Sequence, residues 1–123
     1  MARLSARAVP IALLLASSLT LAGCGRDGLG EARRACEITE KGLALIQKAQ
    51  SPSTSSDQST LYLRQARSAF IRAEGHAARA TSANGRWNAL MTSLQLTRRV
   101  PVTNMVPTLT RQCKSILSDN YLY

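Results

Sequence analysis

Three cysteines carry most of the reactive chemistry that this 123-residue sequence offers. A thiol can accept a covalent group, form a disulfide or bind a metal ion, and its surroundings in the chain decide which of these it does. Cys24 directly follows an apolar stretch at the amino terminus, whereas Cys36 and Cys113 lie in the remainder of the chain. The cysteines therefore divide into one at a processing signal and two inside the folded part.

The segment before Cys24 has the layout of a secretory signal. Arg3 and Arg7 form a positive region, and residues 8–21 are mostly apolar. The apolar run is short for a membrane-spanning helix, which needs roughly 20 such residues. The sequence therefore predicts that the chain is exported.

The motif Leu21-Ala22-Gly23-Cys24 closes this segment. It resembles the lipobox of bacterial lipoproteins. The resemblance implies that residues 1–23 are removed as a signal peptide and that Cys24 becomes the lipidated first residue of the mature chain. The alternative is an ordinary secretory signal that is cut near Ala22 or Gly23, with Cys24 incidental.

Cys36 and Cys113 are an even pair in an exported chain, which favours one intramolecular disulfide. In the chain-entropy model, closing a loop of roughly 80 residues stabilises a fold by about 4–5 kcal/mol. Such a bridge suits a small domain with few aromatic residues in its core. The alternative is two free buried thiols. A metal site is less favoured, because the single histidine, His76, has no partner at ligand spacing.

No set of side chains in the sequence predicts an enzyme. His76 is expected at the surface or boundary, because the nearby Glu74 projects from a different helical face and cannot orient the imidazole. Glu37 and Glu40 lie three residues apart beside basic neighbours, which indicates solvated ion pairs. We therefore expect no catalytic residue, no metal and no cofactor.

Two groups of side chains could bind a partner. Trp87 could line an apolar groove with Tyr62 and Met91, or it could be an anchor of the core. The second group is a basic face, for which the alternative is an ordinary solvated surface. Its members are Arg64, Arg67, Arg72, Arg79, Arg86, Arg98 and Arg99.

Amphipathic periodicity predicts four helices in the mature chain, over residues 31–50, 58–82, 86–97 and 104–118. Residues 24–30 are glycine-rich and predict a tether, and residues 119–123 predict a tail. Short connections favour an all-α fold, a small antiparallel bundle of four helices closed by one disulfide. In such a bundle, the start of the first helix lies beside the end of the fourth, which would bring Cys36 and Cys113 together.

The helical stripes also predict core positions, among them Leu43 in the first helix and Leu109 in the fourth. The second helix carries an alanine-rich stripe that lets its neighbours approach closely. Gly42 marks either such a close approach or a tolerated defect, since glycine costs up to about 1 kcal/mol in a helix.

The net positive charge and the predicted export together limit the classes of partner that the protein could bind. The chain carries a net charge of +9, and removal of Arg3 and Arg7 with the signal leaves +7. This charge favours anionic partners, although export argues against nucleic acid. The arginine- and alanine-rich composition suggests a GC-rich genome, and the chain resembles small helical lipoproteins of actinobacteria.

The leading hypothesis is a membrane-anchored envelope lipoprotein that faces outside the cytoplasm. It would act as a non-enzymatic protein-interaction module with an envelope protein partner. One alternative is a carrier of a small apolar or lipid ligand in an internal cavity. The other is a binder of anionic lipid or wall polymer through the basic face.

Overall fold

The computed structural model describes residues 27–118, and every regular element in that range is helical. The predicted signal peptide, Cys24 and the predicted tail lie outside the described residues. The four α-helices are α1 (Leu29–Ala49), α2 (Ser56–Ala83), α3 (Asn88–Leu96) and α4 (Val106–Leu117). Short 3-10 turns, Gly85–Trp87 and Val102–Met105, precede α3 and α4.

Helix α1 begins two residues earlier than predicted, within the segment expected to be tether. The Asp27 carboxylate accepts a hydrogen bond from the backbone N–H of Leu29 at 2.9 Å and so caps the first turn. Gly28 takes a positive φ of 74°, a conformation that favours glycine. The glycines of this segment therefore start a helix here, and the predicted tether is two residues too long.

Side-chain hydroxyl groups form hydrogen bonds that stabilise the connection between α1 and α2. The Ser55 hydroxyl caps α2 by accepting from the backbone N–H of Gln58 at 3.2 Å. The Ser59 hydroxyl donates to the backbone carbonyl of Ala49 at 2.9 Å, which joins the end of α1 to the start of α2. The polar run predicted as a helix break therefore holds the two helix ends together.

The third and fourth predicted helices each begin with a 3-10 turn. Asn84 opens the first of these turns, because its side chain accepts from the backbone N–H of Arg86 at 3.0 Å. In α4, Pro107 lies in the first turn, where its missing N–H has no partner to lose.

The core lies between α1 and α2 and extends to one face of α3 and α4. Its largest fully buried side chains include Trp87, Phe70, Leu94 and Leu109. The predicted alanine stripe of α2 is buried throughout, at Ala66, Ala69, Ala73, Ala77 and Ala80.

Small residues let α1 and α2 approach closely at Gly42. A Cβ atom at Gly42 would lie 2.6 Å from Cε1 of Phe70, far inside normal carbon contact. The interpretation of Gly42 as a close approach is therefore confirmed, and the alternative of a tolerated defect is not needed.

Cys36 and Cys113 form the predicted disulfide. Their Cα atoms are 5.1 Å apart, and both residues are buried. The bridge joins residues 77 positions apart in the chain, one near the start of α1 and one near the end of α4.

Candidate functional site

An ionic cluster joins the first turn of α1 to the last third of α2. Nδ1 of His76 lies 2.6 Å from Oε2 of Glu31. Nε of Arg79 donates to Oε1 of Glu31 at 3.3 Å, and Nη2 of Arg79 lies 2.8 Å from Nδ1 of His76. One ring nitrogen cannot both donate to Glu31 and accept from Arg79, so a proton on Nδ1 satisfies the contact with Glu31.

The electrostatics of the cluster favour an ionised carboxylate. The hydrogen bond with His76 is the largest cause of a lowered pKa at Glu31, and Arg79 acts in the same direction against partial burial. The side chain of His76 is 25% exposed, which agrees with the prediction of a boundary residue. Its carboxylate partner, however, is Glu31 of another helix, which the sequence reasoning missed when it considered only Glu74.

A partly open cleft of about 480 Å³ surrounds this cluster. The seven residues that line it are Gly28, Gly30, Glu31, Arg34, His76, Arg79 and Ala83. A carboxylate-oriented imidazole can act as a general base toward water or a bound ligand, whereas covalent catalysis also needs a hydroxyl or thiol in reach. No side-chain hydroxyl or thiol is among the described residues that line this cleft.

The structure does not bring together the three residues of the predicted apolar groove. Trp87 is buried in the core, and its indole Nε1–H donates to the backbone carbonyl of Asp27. Tyr62 is half-buried about 30 Å away along α2, at 1.5 Å per helical residue. Met91 packs on the core from α3. The interpretation of Trp87 as a core anchor is therefore correct, and the groove with Tyr62 is wrong.

The seven arginines of the predicted basic face do not form one surface. Arg98 pairs with Glu74 at 2.8 Å, and Arg79 pairs with Glu31. The guanidinium of Arg86 lies 4.5 Å from the centre of the Trp87 ring. Arg99 is exposed at the end of α3. Only Arg64, Arg67 and Arg72 remain together, along the exposed side of α2.

A second cleft, of about 290 Å³, lies between the start of α3 and the end of α4. Arg86 and Arg111 flank it, and Trp87 and Ile116 are part of its wall. Oε1 of Gln112 is buried there without a hydrogen-bond partner among the described residues. This cleft also opens to solvent, which is a poor match to the enclosed cavity that a carrier of apolar ligands would need.

Neither a metal centre nor a membrane-spanning helix is found in the part of the chain that the structure describes. Within residues 27–118, no three His, Cys, Asp or Glu side chains are grouped to hold a metal ion. No helix in this range is both long and apolar enough to cross a bilayer.

Comparison with known proteins gives no relative. No family model, no curated protein and no solved structure matches this chain.

Proposed function

We propose that this chain is an exported lipoprotein, anchored in the cell membrane through Cys24, whose helical domain is a non-enzymatic interaction module of the envelope. The observation that carries the proposal is the short distance between the lipobox and the fold. Only Gly25 and Arg26 separate Cys24 from Asp27, whose side chain caps α1 and whose backbone carbonyl accepts from Trp87. A lipid on Cys24 would thus hold the domain directly at the membrane surface.

The domain itself is proposed to be an antiparallel bundle of the four helices. Three long-range contacts support this arrangement. Glu31 at the start of α1 contacts His76 near the end of α2, and Ala49 at the end of α1 contacts Ser59 at the start of α2. The disulfide joins the start of α1 to the end of α4.

A non-enzymatic role fits the Glu31 cluster. The Glu31 carboxylate accepts from both His76 and Arg79, and these two hydrogen bonds hold the first turn of α1 against α2. Because Asp27 and Gly28 precede that turn directly, the cluster fixes the position at which the anchor enters the domain. Its role in the proposal is to set the orientation of the domain relative to its anchor.

The substitution Cys24→Ser tests the anchor. We expect the variant to leave the membrane fraction or to accumulate unprocessed, because serine cannot accept the lipid thioether. Leu96→Gln is the control, since it changes an exposed side chain and leaves both the lipobox and the disulfide intact. Membrane retention of Cys24→Ser at the normal mature mass, measured by fractionation and intact-mass spectrometry, would refute the proposal.

The interaction role is tested by cross-linking the lipidated protein in its own membranes, followed by purification at low and at high salt. A protein partner that survives high salt supports the interaction module. Recovery of anionic lipid or polymer alone, lost at high salt, would replace it with the alternative of a basic binding surface, because salt screens exposed charges.

A further inference from the structure

The outer α2 face combines basic and apolar side chains on one side of a single helix. At 3.6 residues per turn, its members lie within an arc of about 140°. Two of them, Leu61 and Ile71, are large hydrophobic side chains that are 48% and 40% exposed. The outer α2 face consists of Leu61, Arg64, Arg67, Ile71 and Arg72, all of which are exposed.

Arginines outnumber carboxylates on this side of α2, where Asp57 lies one turn before Leu61. Residues 58–73 contain three arginines and no acidic residue. Among the ion pairs of the described residues, none involves Arg64, Arg67 or Arg72. Exposed apolar side chains between unpaired cations are typical of helices that lie in a membrane interface, where arginine stems also bury along apolar surface.

The anchor enters the domain beside the same helix. A Cβ atom at Gly28 would lie 2.5 Å from the backbone oxygen of Ala80, so the chain passes directly against α2. From Cys24 to Asp27 the chain can span about 10 Å, so a lipid on Cys24 would lie within about one helix diameter of this end of α2.

Helix α4 carries a second basic surface, on another side of the domain. Helix α4 packs on α1 and α3, so its exposed Arg111 and Lys114 belong to a different side of the domain. A domain that rests on the outer α2 face therefore leaves α4 on the side away from the membrane.

We propose that the outer α2 face lies on the anionic lipid leaflet that holds the lipid of Cys24. This inference rests on the proposed lipidation and adds the orientation of the domain to it. The domain lies on its side, with Leu61 and Ile71 about 15 Å apart along the helix in the interface. The three arginines contact lipid phosphates.

Arginine modification by phenylglyoxal, mapped by mass spectrometry, tests the orientation residue by residue. The lipidated protein is placed in vesicles of phosphatidylglycerol and in vesicles of phosphatidylcholine. In the anionic vesicles we expect Arg64 and Arg67 to react at least about fivefold more slowly, the factor that corresponds to the surface attraction of one basic residue. Arg111 is the internal control and keeps its rate. The protection falls in 1 M salt, where the Debye length is about 3 Å.

Two matched variants measure how much the exposed apolar side chains contribute to the contact between the outer α2 face and the membrane. Ile71→Gln should lower the protection of Arg64, because it removes an apolar contact with the interface. Leu96→Gln changes a side chain of similar exposure, 41%, on α3 and should leave that protection unchanged. Both substitutions are at exposed positions, and circular dichroism checks that each variant keeps its helices.

Several results would overturn the inference. Equal protection of Arg64 and Arg111, with lipid on Cys24 confirmed by intact mass, would refute the orientation and leave the anchor standing. Selective protection of Arg86 and Arg111 would place the end of the domain at the membrane. Protection of Arg64 in native membranes but not in vesicles would assign the face to a protein. A mature chain without lipid would refute the anchor, and this inference with it.

Discussion

Replacement of Gly42 by alanine tests how closely α1 and α2 pack. In an exposed helix position this change would stabilise the protein by about 0.5–1 kcal/mol, since alanine has the higher helix propensity. At Gly42 the new Cβ would lie 2.6 Å from Cε1 and 3.1 Å from Cδ1 of Phe70, where carbon atoms normally stand 3.5–4.0 Å apart. The Phe70 ring is fully buried and cannot move aside freely.

The matched control is Gly75→Ala in α2. Its Cβ would have only Nη1 of Arg79 nearby, at 3.9 Å, which is an ordinary contact. Both variants gain the same propensity, so the difference between them measures the clash alone. We expect Gly42→Ala to be less stable than Gly75→Ala by about 1–3 kcal/mol, the usual cost of overpacking.

Urea and thermal unfolding of the disulfide-intact variants, followed by circular dichroism, measure this difference. For a domain of this size, 1 kcal/mol corresponds to about 4–8 °C in Tm. The double variant Gly42→Ala, Phe70→Leu should lose less than the sum of its two single changes, because the smaller side chain makes room. Equal stability of Gly42→Ala and Gly75→Ala would refute the close approach.

Three further predictions concern stability. Cys36→Ser and Cys113→Ser should lower the free energy of unfolding by similar amounts, up to about 4–5 kcal/mol, because each removes the same bridge; clearly unequal losses in urea titrations would mean that the bond is not shared. Leu109→Ala should cost about 2–5 kcal/mol, and Leu43→Ala less, since Leu109 is fully buried and Leu43 only partly; the reverse order would contradict the burial of these helices. The lowered pKa of Glu31 stabilises the fold above its ordinary value of 4.5, and this stabilisation is lost as pH falls through the folded-state pKa. Glu31→Gln should therefore lose less stability than the native chain between neutral and acidic pH, and parallel pH profiles would rule the linkage out.

Local patterns in the sequence predicted the elements of the fold well. Two features of the sequence predicted the Cys36–Cys113 disulfide. These were the even number of cysteines after Cys24 and the position of both cysteines on the apolar helical stripes. The alanine stripe of α2 predicted which side of that helix is buried. The buried side of α2 is set by residues close together in the chain, whereas the disulfide joins residues 77 positions apart and was predicted from the cysteine count together with the expected antiparallel packing.

Most of the errors come from contacts between distant residues, and the predicted tether is the exception. It ran two residues into α1, because the Asp27 carboxylate and Gly28 at positive φ start the helix where the glycines predicted a break. The indole of Trp87 also contacts this start by donating to the Asp27 carbonyl across 60 positions, and no local pattern records that contact. The same contact makes Trp87 part of the core and keeps it away from Tyr62, although Trp87 still forms part of the wall of the cleft between α3 and α4. The partner of His76 was missed for a related reason, since Glu31 lies 45 positions away. One signal could have found this contact. If α1 and α2 pack antiparallel, the start of α1, which holds Glu31, lies beside the end of α2, which holds His76.

The disulfide also determines what proteolysis can release. The connection between α1 and α2 and the segment between α3 and α4 both lie inside the loop that Cys36 and Cys113 close. A single cut in either segment therefore yields two fragments that stay covalently joined. A protease would have to cut in both segments, or cut once under reducing conditions, to release a fragment from the part that carries residue 36.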